Sequence, residues 1–386
     1  MILKKTLCSV MVLGAFASVA HAQSSVTVYG IIDAGFVTQS NANAAGDRVT
    51  SFQDGQILPS IYGFKGTEDL GGGLKASFNL EGGFNAGNGQ HNSPGVYQSQ
   101  LFGREAKVTL GADWGTIGAG LQVDPGLIAS IATEPRGMTD SFSHLEHWIG
   151  ATINSGGGLG GTSGSLTGGI FDVNSLTYTY AANGLYVGLE YGFGGVAGST
   201  SAGSTESIGA SYSNGGFVVS ASYAKANTTD PTGATGGGDQ IEVIGVGYDF
   251  ASAAPIAIRL QYGEFKSSLL NTLGGGGGTG NNNYFDDVKS WGFGIDWKPS
   301  AANKVNLAYY DAKDDGTAFG GKTTEWALLD TYSLSKRTDI YAQIVRVSVD
   351  SDAGQSAIIG GVYASPNLFA LSGNTVYFGV GIQHKF

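Results

Sequence analysis

The segment His144-Leu145-Glu146-His147 carries residue types that ligate transition metals. Zinc helices set two histidines four residues apart with a glutamate as base, or use H-x-x-E-H. Here the histidines are three apart, so the segment predicts no metal site. His91 and His384 have no neighbouring partner in motif terms. A G-x-S-x-G elbow is absent, which leaves a hydrolase without its nucleophile turn. The run Gly274–Gly278 lacks the Lys-Ser/Thr of a phosphate loop and reads as a flexible loop. Gly236-Gly237-Gly238-Asp239 matches a fragment of a calcium-binding nonapeptide, but those repeats work only in tandem. Neither an enzyme nor a cofactor is expected.

The remaining chemistry is charge. Asp124, Glu134, Arg136, Asp140 and Glu146 fall in one long segment without strand periodicity, residues 124–165. The whole chain has 20 Lys and Arg against 31 Asp and Glu, a balance that disfavours nucleic acid. At the amino end, Lys4 and Lys5 precede an apolar run from Leu7 to Ala20 that closes on Ala20-His21-Ala22. That order predicts a secretory signal peptide over residues 1–22 and a mature unit over 23–386. Its removal takes away Lys4, Lys5 and Cys8, moving the net charge from −11 to −13 and leaving no thiol. Disulfides and cysteine sites are then excluded.

The elements that must position these charges read as strands. Beyond Ala22 no apolar run is long enough for a helical span, so insertion in a membrane would require a closed barrel. Trp291, Phe293, Ile295 and Trp297 alternate with Gly292, Gly294 and Asp296, and Ile244, Val246, Tyr248 and Phe250 alternate with Gly245, Gly247 and Asp249. Period-two runs of this kind are expected at 25–37, 56–66, 72–84, 97–111, 115–123, 166–181, 185–193 and 205–213. They continue at 217–225, 240–250, 255–266, 285–298, 303–312, 323–334, 338–350 and 374–386. Short turns, such as Asn183-Gly184 and Ser335-Lys336-Arg337, alternate with long loops, among them 38–55, 124–165, 226–239, 267–284 and 351–373. That alternation predicts an all-β, 16-stranded antiparallel transmembrane barrel. Sixteen strands leave room for water, and Thr27, Asp33, Lys65, Glu190, Arg259, Gln261 and Gln383 fall on the lumen rows.

Several segments have a familial look. They include Ser24-Ser25-Val26-Thr27-Val28-Tyr29-Gly30-Ile31-Ile32-Asp33, Gly63-Phe64-Lys65-Gly66-Thr67-Glu68-Asp69-Leu70-Gly71, and Leu101-Phe102-Gly103-Arg104-Glu105-Ala106-Lys107-Val108. Tyr332-Ser333-Leu334-Ser335-Lys336-Arg337-Thr338 and the closing Phe378-Gly379-Val380-Gly381-Ile382-Gln383-His384-Lys385-Phe386 complete the set. In this order they resemble the general porins of betaproteobacteria. The resemblance implies passive diffusion of small hydrophilic solutes and ions across the cell outer membrane. It also implies a homotrimer among lipid and lipopolysaccharide, with Phe386 read by the barrel-assembly machinery. Segment 124–165 becomes the third loop, folded into the pore as its constriction. A substrate-specific channel and a structural or adhesion barrel are the alternatives.

The chain departs from the family at three arginines expected on the wall facing that loop. Ile61, Leu121 and Phe171 occupy those positions. Arg104 and Lys65 remain as wall bases, with Lys107 weaker because its strand parity is opposite to that of Arg104. A thin basic wall facing an acidic loop predicts a cation-preferring pore.

Overall fold

The computed structural model describes residues 25–43, 45–91, 100–137, 139–144, 170–227, 238–250, 253–267, 287–315, 321–351 and 373–386. The expected signal peptide 1–22, Glu146, His147 and the rest of 145–165 lie outside them. Strand β1 covers Ser25–Gln39, β2 Val49–Asp54, β3 Ile61–Gly71, β4 Leu74–Gly83, β5 Glu105–Ala112 and β6 Gly115–Val123. Helix α1 covers Pro125–Ile131, followed by β7 Phe171–Ala182, β8 Leu185–Gly192, β9 Thr205–Asn214, β10 Phe217–Asn227 and β11 Gly238–Asp249. The remainder is β12 Ile256–Ser267, β13 Asp287–Trp297, β14 Asn303–Asp314, β15 Gly321–Ser333, β16 Thr338–Ser351 and β17 Gly373–Lys385.

Neighbouring staves pair antiparallel, and β1 meets β17 to close the sheet. The seam ends on Phe386, whose N–H donates to Gly30 O at 3.0 Å and whose carbonyl accepts from Gly30 N at 3.1 Å. The sheet has seventeen runs but sixteen staves. β2 and β3 both pair with the same side of β1, β2 against residues 34–39 and β3 against 25–31. Together they form one stave interrupted at 55–60.

That interruption corrects two expectations. Residues 56–60 are not the start of a strand, and 49–54 are not loop. Pro59 has no N–H for the ladder, and Gly55 has a φ of 69°, so the chain leaves the wall between them. The expected strand at 97–111 is also shorter. It begins at Glu105, and Arg104 sits in the bend before it, donating its N–H to Glu81 O at 3.1 Å.

The faces are inverted relative to a soluble sheet. Val28 is 60% exposed, Ile244 57% and Trp291 54%, while the alternate rows carry buried Gln261, Ser290 and Glu325. A continuous apolar belt on the outside suits acyl chains, and closure satisfies the ladder groups that lipid cannot. Aromatics collect near both rims. Trp114, Tyr212, Tyr248, Trp297 and Tyr332 lie by the short turns, and the tilted ring pairs Tyr262–Trp291 and Tyr309–Trp326 lie toward the long loops. At the turn Asn183-Gly184 both residues have positive φ, 52° and 81°, the twist a two-residue hairpin requires.

Candidate functional site

The lumen is crossed by the chain that follows β6. Asp124 caps α1, its Oδ1 accepting from Leu127 N at 3.0 Å and from Ser207 Oγ of β9 at 2.7 Å. Pro125 at the first helical turn costs no hydrogen bond there. Burial pushes the Asp124 carboxyl up to about 6. Beyond α1 the segment stays on the inner wall. Ser130 Oγ meets Ser222 Oγ at 2.8 Å, Thr133 Oγ1 meets Ser220 Oγ at 2.6 Å, and Gln261 Nε2 donates to Ser130 O at 2.9 Å. Asn306 Nδ2 then reaches Pro135 O at 2.9 Å. The segment therefore runs from β9 across β10 and β12 to β14.

Lumen-facing glycines make the seat for it. A β-carbon on Gly209 would stand 2.6 Å from Pro125 O, one on Gly245 2.1 Å from Thr133 Oγ1, and one on Gly294 2.3 Å from Pro135 O. These separations are shorter than any non-bonded contact, so the loop backbone can come this close to the wall at these points only because the side chains are missing.

Glu134 and Arg136 are part of this attachment rather than an open lip. Both are buried. Glu134 Oε1 accepts from Tyr310 OH at 2.6 Å and from His144 N at 3.2 Å, and Oε2 accepts from Arg136 N at 2.7 Å. The Arg136 guanidinium donates to Phe142 O at 2.9 Å and to Gln343 Oε1 of β16 at 3.0 Å. His144 fills a slot between Gln261 Oε1, 2.9 Å from Nδ1, and Ser290 Oγ, 3.1 Å from Nε2. Burial lowers its pKa, so the ring is a neutral wall contact. Asp140 donates its backbone N–H to Ile57 O at 3.0 Å, and burial pushes its carboxyl up to about 7 despite Arg104.

Ile57 belongs to the 55–60 interruption, which the sequence reading missed as a site element. Asp33 holds it. Asp33 Oδ2 accepts from Ile57 N at 3.1 Å, Leu58 N at 3.0 Å and Gln383 Nε2 at 3.2 Å, and Oδ1 accepts from Tyr341 OH at 2.5 Å. Two arms thus leave the wall, one from the second stave and one from the third loop, and they join at Asp140. Pro59 and Gly55 were the available sequence signal.

The predicted wall bases sit together on β3 to β5. Arg104 Nε pairs with Glu81 Oε1 at 2.7 Å, and its guanidinium lies 4.8 Å from the Phe171 ring centroid. Lys107 Nζ pairs with Glu105 Oε1 at 2.5 Å, and Asn79 bridges to the same carboxylate. Lys65 Nζ lies 4.8 Å from the Tyr29 ring centroid. Lys65 and Lys107 flank Asn79 in register and line a recess of about 280 Å³ with Thr27, Ser77 and Thr109. Lys107 is a lumen residue despite its parity difference from Arg104. Arg104 precedes the ladder, so strand parity does not govern its side chain. At the absent-arginine positions the structure has apolar packing, with Leu121 against a buried cluster that includes Leu127, Ile170 and Phe171.

Against known proteins, the family model for Gram-negative porins matches residues 9–352. The chain belongs to the Gram-negative porin family. The porin is 30% identical over its full length to outer membrane porin protein 32 of Delftia acidovorans, and covers all of that protein. It is 28% identical, again over both full lengths, to an outer membrane porin protein of Bordetella pertussis. Among solved structures, the anion-selective porin from Comamonas acidovorans superposes with a TM-score of 0.71 at 25% identity, covering 94% of this chain and 100% of that one. The porin is therefore an outer-membrane transport barrel of a Gram-negative bacterium.

Proposed function

We propose that this porin is a passive, water-filled channel for small hydrophilic solutes and ions with a preference for cations. It acts as a homotrimer in outer-membrane lipid and lipopolysaccharide, after loss of residues 1–22 on export and recognition of the Phe386 strand by the barrel-assembly machinery. The observation that carries the selectivity is the neutralisation of the wall bases. Arg104 and Lys107 each spend their charge on a neighbouring glutamate, while the third loop adds Asp140, which forms no salt bridge among the described residues. Excess carboxylate around a narrow aqueous path concentrates cations. Trimer assembly is supported by the solved barrel of Vibrio cholerae OmpT described in a trimer form.

A second reading is anion preference. The likeness to an anion-selective porin favours it, as does the recess holding Lys65 and Lys107. The reversal potential in a KCl gradient across a planar bilayer decides between them. The cation reading expects a sign set by K⁺ and a shift toward Cl⁻ in Glu81→Gln, which releases Arg104. A Cl⁻-directed potential in the unmodified porin rejects it. Liposome swelling that falls smoothly with sugar size supports general diffusion, whereas saturation with one solute supports a specific channel.

A further inference from the structure

Where the third loop leaves and rejoins the wall, three carboxylates from three elements converge. Asp124 caps α1, Asp172 lies at the start of β7, and Glu190 lies on the lumen face of β8. All three are buried, and one oxygen of each lies within 4.8 Å of those of the other two. Glu190 is only 7% exposed, and neither of its oxygens has a close, well-aligned donor among the described residues; its nearest polar neighbours are the Asp172 carboxyl and the Thr205 hydroxyl. That hydroxyl is buried, lies diagonally across the β8–β9 ladder, and has no closer partner. Three carboxylates this close cannot all ionise without a compensating charge, and a buried carboxylate whose nearest neighbours are other carboxylates is costly unless a proton or a cation bridges them.

We propose that Asp124, Asp172 and Glu190 bind one calcium ion that ties both feet of the third loop to the barrel wall. The donors are all oxygens, which favours a hard cation over zinc or copper. With the three oxygens no more than 4.8 Å apart, one point lies within about 2.8 Å of all of them, so side-chain movements of a few tenths of an ångström bring a single ion to the roughly 2.3–2.6 Å of calcium–oxygen bonds. Thr205 Oγ1 and water complete the six to eight ligands calcium takes. The site bridges Asp124, which leaves β6 for α1, and Asp172, which re-enters the wall, so an occupied site fixes the root of the constriction. It is independent of the sign of ion selectivity.

Terbium, an oxygen-seeking calcium analogue excited through nearby tyrosine, tests the proposal on the detergent-solubilised porin. Tyr186 hydrogen-bonds to Pro125 O at 3.4 Å and interacts electrostatically with both Asp124 and Glu190, so it is positioned to sensitise emission. The expected result is saturable terbium emission that calcium displaces, weakened at least about tenfold in Glu190→Gln and in Asp172→Asn, because affinity follows ligand charge. Both amides also remove buried charge, so in chelator they should leave the barrel folded and at least as heat-stable as the parent. Calcium should raise the melting temperature of the parent and not of either variant. Emission unchanged by both substitutions, or equal melting temperatures of the parent in calcium and in chelator, overturns the proposal and assigns protons to the cluster.

Discussion

At the residue scale, two carboxylates hold the inserted arms. Asp33 accepts four hydrogen bonds, from two backbone N–H groups of the inserted arm, from Tyr341 and from Gln383. Asp33→Ala leaves those donors buried and unmatched, at a cost of about 3–5 kcal/mol. The variant should lose heat stability and show noisy single-channel currents as the arm detaches. An unchanged melting curve would remove Asp33 from this role. Asp140 behaves differently, because burial raises its pKa to about 7 from roughly 3.9 in an unfolded chain. Between those values the folded loop holds a proton that the unfolded chain releases, so this group stabilises the fold at low pH and loses that contribution as pH rises through about 7. Under the proposed function the same ionisation adds negative charge to the pore. Cation preference should therefore increase from pH 6 to pH 8, and Asp140→Asn should flatten that dependence in reversal-potential measurements. The sequence showed both residues as acids near the lumen, but not their burial, because a period-two pattern gives a face and not what covers it.

At the scale of elements, regular alternation made most staves legible. The run from Ile244 to Phe250 and the run from Trp291 to Trp297 both face as their periodicity predicts. The pattern failed where a segment alternates yet leaves the ladder, as at 55–60, and where a side chain sits just outside it, as at Arg104. A base on the outward row at that position would have faced acyl chains. The bend instead turns it to Glu81 and into the lumen. The small residues were seen as a lumen row, while their second meaning, room for the third loop, needs three dimensions. Gly294→Val tests that meaning, because its side chain would collide with the Pro135 carbonyl while the ladder of β13 stays intact. The expected outcome is a folded barrel with a displaced loop and a single-channel conductance changed by tens of per cent. Conductance identical to the parent would show that the loop does not need the space.

At the scale of the whole molecule, the barrel depends on one seam. β1 shares its length with β2 and β3 on one side and β17 on the other, and Phe386 closes the final pair of hydrogen bonds with Gly30. Removing Phe386 eliminates that pair and an aromatic at the rim. Less of the protein should reach the heat-modifiable folded form, measured as the folded fraction by gel mobility before and after boiling. Equal folded fractions would make the residue dispensable for closure. The glycine seat has a consequence for exchange between porins. A third loop transplanted from a relative would arrive without the hollows cut for it, since these belong to β9, β11 and β13 rather than to the loop. Diversification of the pore is thus a coupled trait: a new loop is heritable only together with the wall beneath it, and chimaeras should be cut to carry both.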